Sequence, residues 1–161
     1  MPVTVRRATA EDAAKVAGFA VLINEQHVGY DPVRFARMIT REGAEQFYRD
    51  RAVAADAAVL VAELDGEIVG FAYLQYEPQA FEDILTNAIW LHDIYIDEAA
   101  RGKGIGRAIM AAVADVAKEF GAEKTVLATA AKNEKGREFF ESLGFKTTMH
   151  EMMLVTDRSV E

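Results

Sequence analysis

The chain has 161 residues, no cysteine and a formal net charge of -8, with 51% apolar and 27% charged residues. That size fits one domain, 1–161, able to bury a core without cross-links, and the lack of thiols excludes disulfides, thiolate metal sites and a cysteinyl acyl-enzyme. The acidic balance argues against a nucleic-acid partner, no apolar run is long enough for a membrane span, and no apolar leader opens the sequence, so a cytoplasmic protein is expected.

In chain order, Val3 and Val5 alternate with Thr4 and Arg6, the pattern of a short strand. Thr9 and Asp12 resemble a capping box, and Ala13, Val16, Ala17, Ala20 and Ile23 follow at helical spacing. Residues 24–30 read as a turn between two helices. Asp31-Pro32 then opens the second helix, whose face carries Phe35, Met38 and Ile39 and which breaks near Gly43. Residues 58–64 and 67–76 read as strands joined by Asp65-Gly66, a two-residue hairpin signal, and 89–96 as a further strand. Ile105, Ile109, Val113, Val116 and Phe120 define a long helix closed by Gly121. A strand over 125–130, an Asn133-capped helix bearing Phe139, Phe140 and Leu143, and a last strand over 149–155 complete the chain. Strands that alternate with helices after an early hairpin predict an α/β fold, a mixed sheet with helices on both faces.

Charge is unevenly placed. Residues 52–100 hold ten Asp/Glu and no Lys/Arg, and then Arg101, Lys103 and Arg107 follow in quick succession. These cations surround Arg101-Gly102-Lys103-Gly104-Ile105-Gly106-Arg107, where a strand hands over to a helix. Glycines permit close backbone approach, and the first amides of a helix lack internal partners and carry the positive end of its dipole. The combination predicts a phosphate or pyrophosphate cradle. A dinucleotide fingerprint would need glycine where Arg107 stands, and a Walker loop would need Ser or Thr after Lys103. The alternative is a tight turn with solvated basic residues.

Arg101-x-x-Gly104-x-Gly106 after a strand resembles the (Q/R)xxGx(G/A) signature of the GNAT superfamily of acyl-CoA-dependent N-acetyltransferases. Asn133 followed by REFFESLGF is similar to that family's second motif, and the element order agrees over nearly the whole chain. The resemblance implies a mostly antiparallel central sheet of about six to seven strands, with acetyl-CoA as cosubstrate. It implies that Arg101 through Arg107 hold the CoA pyrophosphate. Ile94, Tyr95 and Ile96 would pair with pantetheine through their backbone. Asn133, Lys135, Arg137 and Phe140 would lie along the rest of the cofactor. Many relatives place a tyrosine as general acid at the position of Phe140, which cannot donate a proton; Tyr95, Tyr73 and Ser142 are the remaining candidates by location.

The string Leu91-His92-Asp93-Ile94-Tyr95-Ile96 resembles a Leu-Glu-Asp run of spermidine/spermine N-acetyltransferases, in which the Glu accepts a proton. Here His92 stands at that position, and a histidine with an unperturbed pKa near 6.5 suits a base at neutral pH. Strict alternation puts His92 on the face of Ile94 and Ile96, and Asp93 on that of Leu91 and Tyr95. His92 and Asp93 are therefore the catalytic candidates, against a structural role for each. Without a cysteine, direct attack in a ternary complex is favoured over a cysteinyl intermediate. Glu82 and Asp83 in the acidic stretch, with His27 and Tyr30, are candidates for lining the acceptor site, which would favour a small cationic amine. Neither a metal nor a membrane is implied, and a homodimer is left open. Two rivals stand beside this reading: an acyl-CoA-binding module without catalysis, and an acetyltransferase of lysine side chains or protein N-termini.

Overall fold

A computed structural model describes residues 2–157. Five strands form one sheet in the order β1-β2-β3-β4-β5: β1 (Thr4–Arg7), β2 (Ala57–Leu64), β3 (Glu67–Ala80), β4 (Leu85–Ile96) and β5 (Lys124–Leu127). The first three pairings are antiparallel and β4·β5 is parallel. Helices α1 (Ala13–Tyr30), α2 (Arg41–Ala52), α3 (Ile105–Phe120) and α4 (Glu134–Ser142) complete the regular structure. No helix among the described residues is long and apolar enough to cross a membrane.

The six residues at the start of β2, Ala57 to Ala62, are all buried because both of its faces are covered. Ala57, Val59 and Val61 pack with Val16, Phe19 and Tyr48 under α1 and α2. Ala58, Leu60 and Ala62 pack with Ile105, Ile109 and Val113 of α3 and with Phe140 of α4. Period-two alternation thus divides one apolar run between two cores. The β2–β3 turn takes positive φ at both Asp65 and Gly66, 53° and 80°, as a two-residue hairpin requires. At the far end of α3, Gly121 closes the helix at φ 70°.

Four expectations fail. Among the described residues the sheet has five strands, because residues 149–155 pair with none of them. Arg34 holds Glu151 in an ion pair, and Met149, Met152 and Leu154 stand exposed. The expected strand over 125–130 stops at Leu127. Residues 24–30 are the last turns of α1 rather than a connection. Asp31 does cap a turn, its Oδ1 accepting from the amides of Val33 and Arg34 at 3.0 and 3.1 Å, but no helix propagates. Asn24 of α1 intercepts the backbone there: its Oδ1 accepts from the amides of Met38 and Ile39, each at 3.0 Å, and its Nδ2 donates to Ala36 O at 2.8 Å. Helix resumes only at Arg41, where the Thr40 hydroxyl accepts from the Gly43 amide at 3.1 Å.

Candidate functional site

The register of β4 against β3 slips by one residue at its centre. Tyr73 faces Asp93 and Leu74 faces Leu91, so His92 is an inserted residue, a β-bulge. Two consequences follow. Strict alternation is broken, and His92 lies on the α1/α2 side of the sheet rather than with Ile94 and Ile96, which pack on the α3 side. Its ring stacks on Tyr73 at 5.5 Å and on Trp90 at 5.9 Å between centroids. Asp93, opposite Tyr73, faces the same way and accepts a 2.6 Å hydrogen bond from the Tyr48 hydroxyl. One inserted residue thus brings imidazole and carboxylate to one face.

The second consequence concerns the edge of the sheet. Parallel pairing with β5 covers only Ala88 to Leu91. Beyond the bulge, Asp93 to Ile96 pair with β3 on one side and with no strand on the other. The two strands part there, leaving backbone donors and acceptors open to an extended ligand, apart from Ile96 O, which accepts from Arg101.

The strand ends in the glycine turn. Arg101 folds back, its Nε donating to Ile96 O at 3.0 Å and its guanidinium lying 5.5 Å from the centroid of Tyr95. Gly102 and Gly104 take φ of 80° and 78°, and a Cβ at either would meet nothing within 4 Å. Gly104 is the N-cap of α3 and offers no side chain, so no side chain caps the first amides of that helix. Gly106 has a different duty: a Cβ there would come within 3.1 Å of Phe139 Cζ and 3.3 Å of Ile96 Cδ1. Its bareness lets α3 seat against α4 and β4, and the expectation that it admits a ligand is corrected to that extent. Ile105 is buried in the core. Among the described residues Arg101, Lys103, Arg107 and Lys135 form no ion pair, which leaves three such cations in the turn and one at the start of α4. Arg137 approaches Glu141 at 3.6 Å.

The remaining candidates divide. Asn133 accepts from the Gly136 amide at 3.0 Å and caps α4. Phe140 is 7% exposed, packed against Phe139 and Phe145, so its ring belongs to the core rather than to the cleft. The Ser142 hydroxyl donates to Phe139 O at 2.6 Å at the end of α4. His27 lies in the last turns of α1, with Nδ1 2.8 Å from Ile23 O and its ring edge-on to Tyr30 and Phe35. Glu82 and Asp83 occupy the exposed tip of the β3–β4 hairpin. At about 3.3 Å per residue, the seven steps from His92 back to Leu85 set the tip roughly 23 Å or more along β4 from the bulge. They do not wall the same cleft, which corrects their assignment to an acceptor pocket. A groove of about 510 Å³ lined by Lys15, Phe19, Leu22, Ile39, Arg41 and Asp97 runs beside α1 and includes neither His92 nor Asp93.

Burial pushes the Asp93 carboxyl upward from its ordinary range, and the Tyr48 hydrogen bond, with the charges of His92 and His27, pulls it part of the way back. Burial first, and the neighbouring carboxylate second, push the Tyr48 phenol up. Sequence reasoning misses Tyr48, which sits in the interior of α2 and belongs to no motif.

Comparison with known proteins places the chain by family and fold. The sequence pattern of the Acetyltransferase (GNAT) family matches residues 22–145. The uncharacterised N-acetyltransferase YhfO of Bacillus subtilis (strain 168) is 30% identical over 88% of this chain and 89% of its own. The spermine/spermidine N(1)-acetyltransferase of the same organism is 28% identical over 51% of this chain and 55% of its own. Among solved structures, the tetramutant of the BH1408 protein from Bacillus halodurans superposes with a TM-score of 0.82 at 23% identity, covering 94% of this chain and 99% of that one.

Proposed function

The chain belongs to the GNAT acetyltransferase family, and on that premise we propose that it transfers an acetyl group from acetyl-CoA to the primary amine of a small cationic acceptor, by direct attack in a ternary complex. The observation that carries this reading is the bulge. It sets His92 and Asp93 on one face at the point where the edge of β4 becomes free and leads to the glycine turn. The residues present fit the cosubstrate: uncapped amides and unpaired cations suit a diphosphate, and the free edge from Asp93 to Ile96 suits the amide-bearing pantetheine arm. Acetyl-CoA supplies the acyl group as a thioester, whose sulfur is a good leaving group.

The chain's own groups do the rest. Asp93 holds the acceptor's ammonium by charge. His92, exposed to solvent, takes one proton from that ammonium and passes it to water, and the freed nitrogen lone pair attacks the acyl carbon. An open-edge amide near Ile94 or Tyr95 donates to the acyl oxygen as negative charge develops there. With Phe140 buried and unable to donate, the second nitrogen proton goes to the departing sulfur. The products are the N-acetyl amide, CoA as its thiol and one proton released through His92. A cationic acceptor is supported by Asp93, which has no Lys or Arg partner among the described residues; the likeness to a spermine/spermidine enzyme points the same way.

The test is thiol release from acetyl-CoA with a panel of polyamines, aminoglycosides and lysine amides. Turnover is expected with at least one of them. In the best case, His92→Ala lowers kcat by about 100-fold or more while CoA affinity stays within about twofold. A His92→Ala protein with wild-type kcat removes the base, and CoA binding without release across the panel favours the non-catalytic module.

A further inference from the structure

We propose that Tyr48 is a positioning residue for the acceptor, its hydroxyl fixing Asp93 Oδ2 so that Oδ1 stays free as the counter-ion of the acceptor's ammonium. The proposal rests on the acetyltransferase reading and adds to it the group that sets acceptor charge selectivity.

Tyr48 is 6% exposed, and its ring is held edge-on by Phe47, Phe71 and Tyr73 at 5.1, 5.4 and 5.9 Å between centroids. Phenylalanine would fill the same space without burying a hydroxyl. Tyrosine at this place therefore makes sense through its 2.6 Å bond to Asp93. Three surrounding rings fix the direction of that bond. Asp93 Oδ1 takes no hydrogen bond among the described residues, nor is any buried side-chain oxygen or nitrogen there left without a partner. Oδ1 is then reached by solvent rather than sealed in without a partner. The carboxylate also forms no ion pair with Lys or Arg among the described residues. One oxygen tied, one reached by solvent and no internal cation leave the carboxylate an acceptor for an ammonium from outside.

The groups that face this carboxylate are His27 from α1, Tyr48 from α2, Tyr73 from β3 and His92 from its own strand. Tyr73 is engaged elsewhere, donating to Gln75 Oε1 at 3.2 Å beside Arg51. Tyr48 is thus the hydrogen bond that opposes the effect of burial on Asp93. Its loss should raise the pH at which Asp93 becomes charged, and with it the pH below which a cationic acceptor binds poorly.

The experiment compares wild type with Tyr48→Phe. Carbon-13 NMR of labelled aspartate carboxyls follows the Asp93 titration, with Asp93→Asn assigning its signal. Steady-state kinetics follow kcat and KM for the fastest amine of the panel between pH 5.5 and 9. The Asp93 midpoint is expected to move up by roughly one pH unit in Tyr48→Phe, the size of one hydrogen bond to a charged group. KM should rise about fivefold to tenfold at the acid end and converge on wild type at the alkaline end, with kcat within about twofold. An unmoved midpoint, or a loss equal at every pH, overturns the proposal. A panel on which wild type itself is silent defeats the acetyltransferase reading instead, and the NMR midpoint still decides whether Tyr48 governs Asp93.

Discussion

Gly104→Val tests the cradle most directly. Gly104 sits at φ 78°, and a Cβ there would meet nothing within 4 Å, so the whole cost of a side chain is conformational. An L-residue in this region costs about 1–2 kcal/mol, and a β-branched one lies at the upper end. The substituted turn relieves that strain by leaving the left-handed region while CoA is absent. The original turn must then be re-formed on binding, so the strain appears as lost affinity. At about 1.4 kcal/mol per factor of ten, CoA binding should weaken roughly 5- to 30-fold. Gly104→Asn, which tolerates positive φ, should lose only a fraction of that. Calorimetric titration with CoA measures both proteins, and a thermal melt controls for global damage. Since 1 kcal/mol shifts the Tm of a chain this long by about 2–4 °C, the melt should move by no more than several degrees. Wild-type CoA affinity for Gly104→Val would refute the idea that the turn's backbone holds the diphosphate.

The other glycine predicts a different failure. Gly106→Ala drives a methyl to within 3.1 Å of the Phe139 ring and should destabilise the fold by about 1–3 kcal/mol, with Phe139→Leu restoring part of it; additive melts would show that the two positions do not touch. Asp93→Asn addresses linkage. Burial raises the native Asp93 carboxyl above its unfolded value, so the native state binds more protons in that window and stability falls as pH rises through it. Removing the charge should therefore raise Tm at pH 7 relative to wild type, with the gain shrinking toward pH 4. A variant less stable than wild type at pH 7 and closer to it in acid reverses the sign and refutes the account.

What was legible in the sequence was local. The periodicity from Ile105 to Phe120 and the closing Gly121 give α3 to the residue, and Asp65-Gly66 gives the hairpin. What escaped depended on partners distant in the chain. Nothing near Asp31 reveals that the Asn24 side chain will occupy the peptide groups of 36–39. Nothing in residues 149–155 reveals that no neighbouring strand pairs with them. Charge counting gave Glu82 and Asp83 a role that geometry withholds, because a run of acidic residues carries no distance. The motif around Arg101 pointed to the cofactor side, whereas the acceptor side turns on a register slip that alternation cannot see.

The opening beside β4 owes its existence to arithmetic more than to chemistry. Any side chain at 92 leaves the extra link in place and the slit ajar, so a change of identity there can abolish proton handling while the acyl donor still docks. Dropping that single link would restore even spacing, leave the downstream partner of Tyr48 on its present surface and take the imidazole away from it. Along this segment, the number of links sets which groups meet, and their identity sets what they can do.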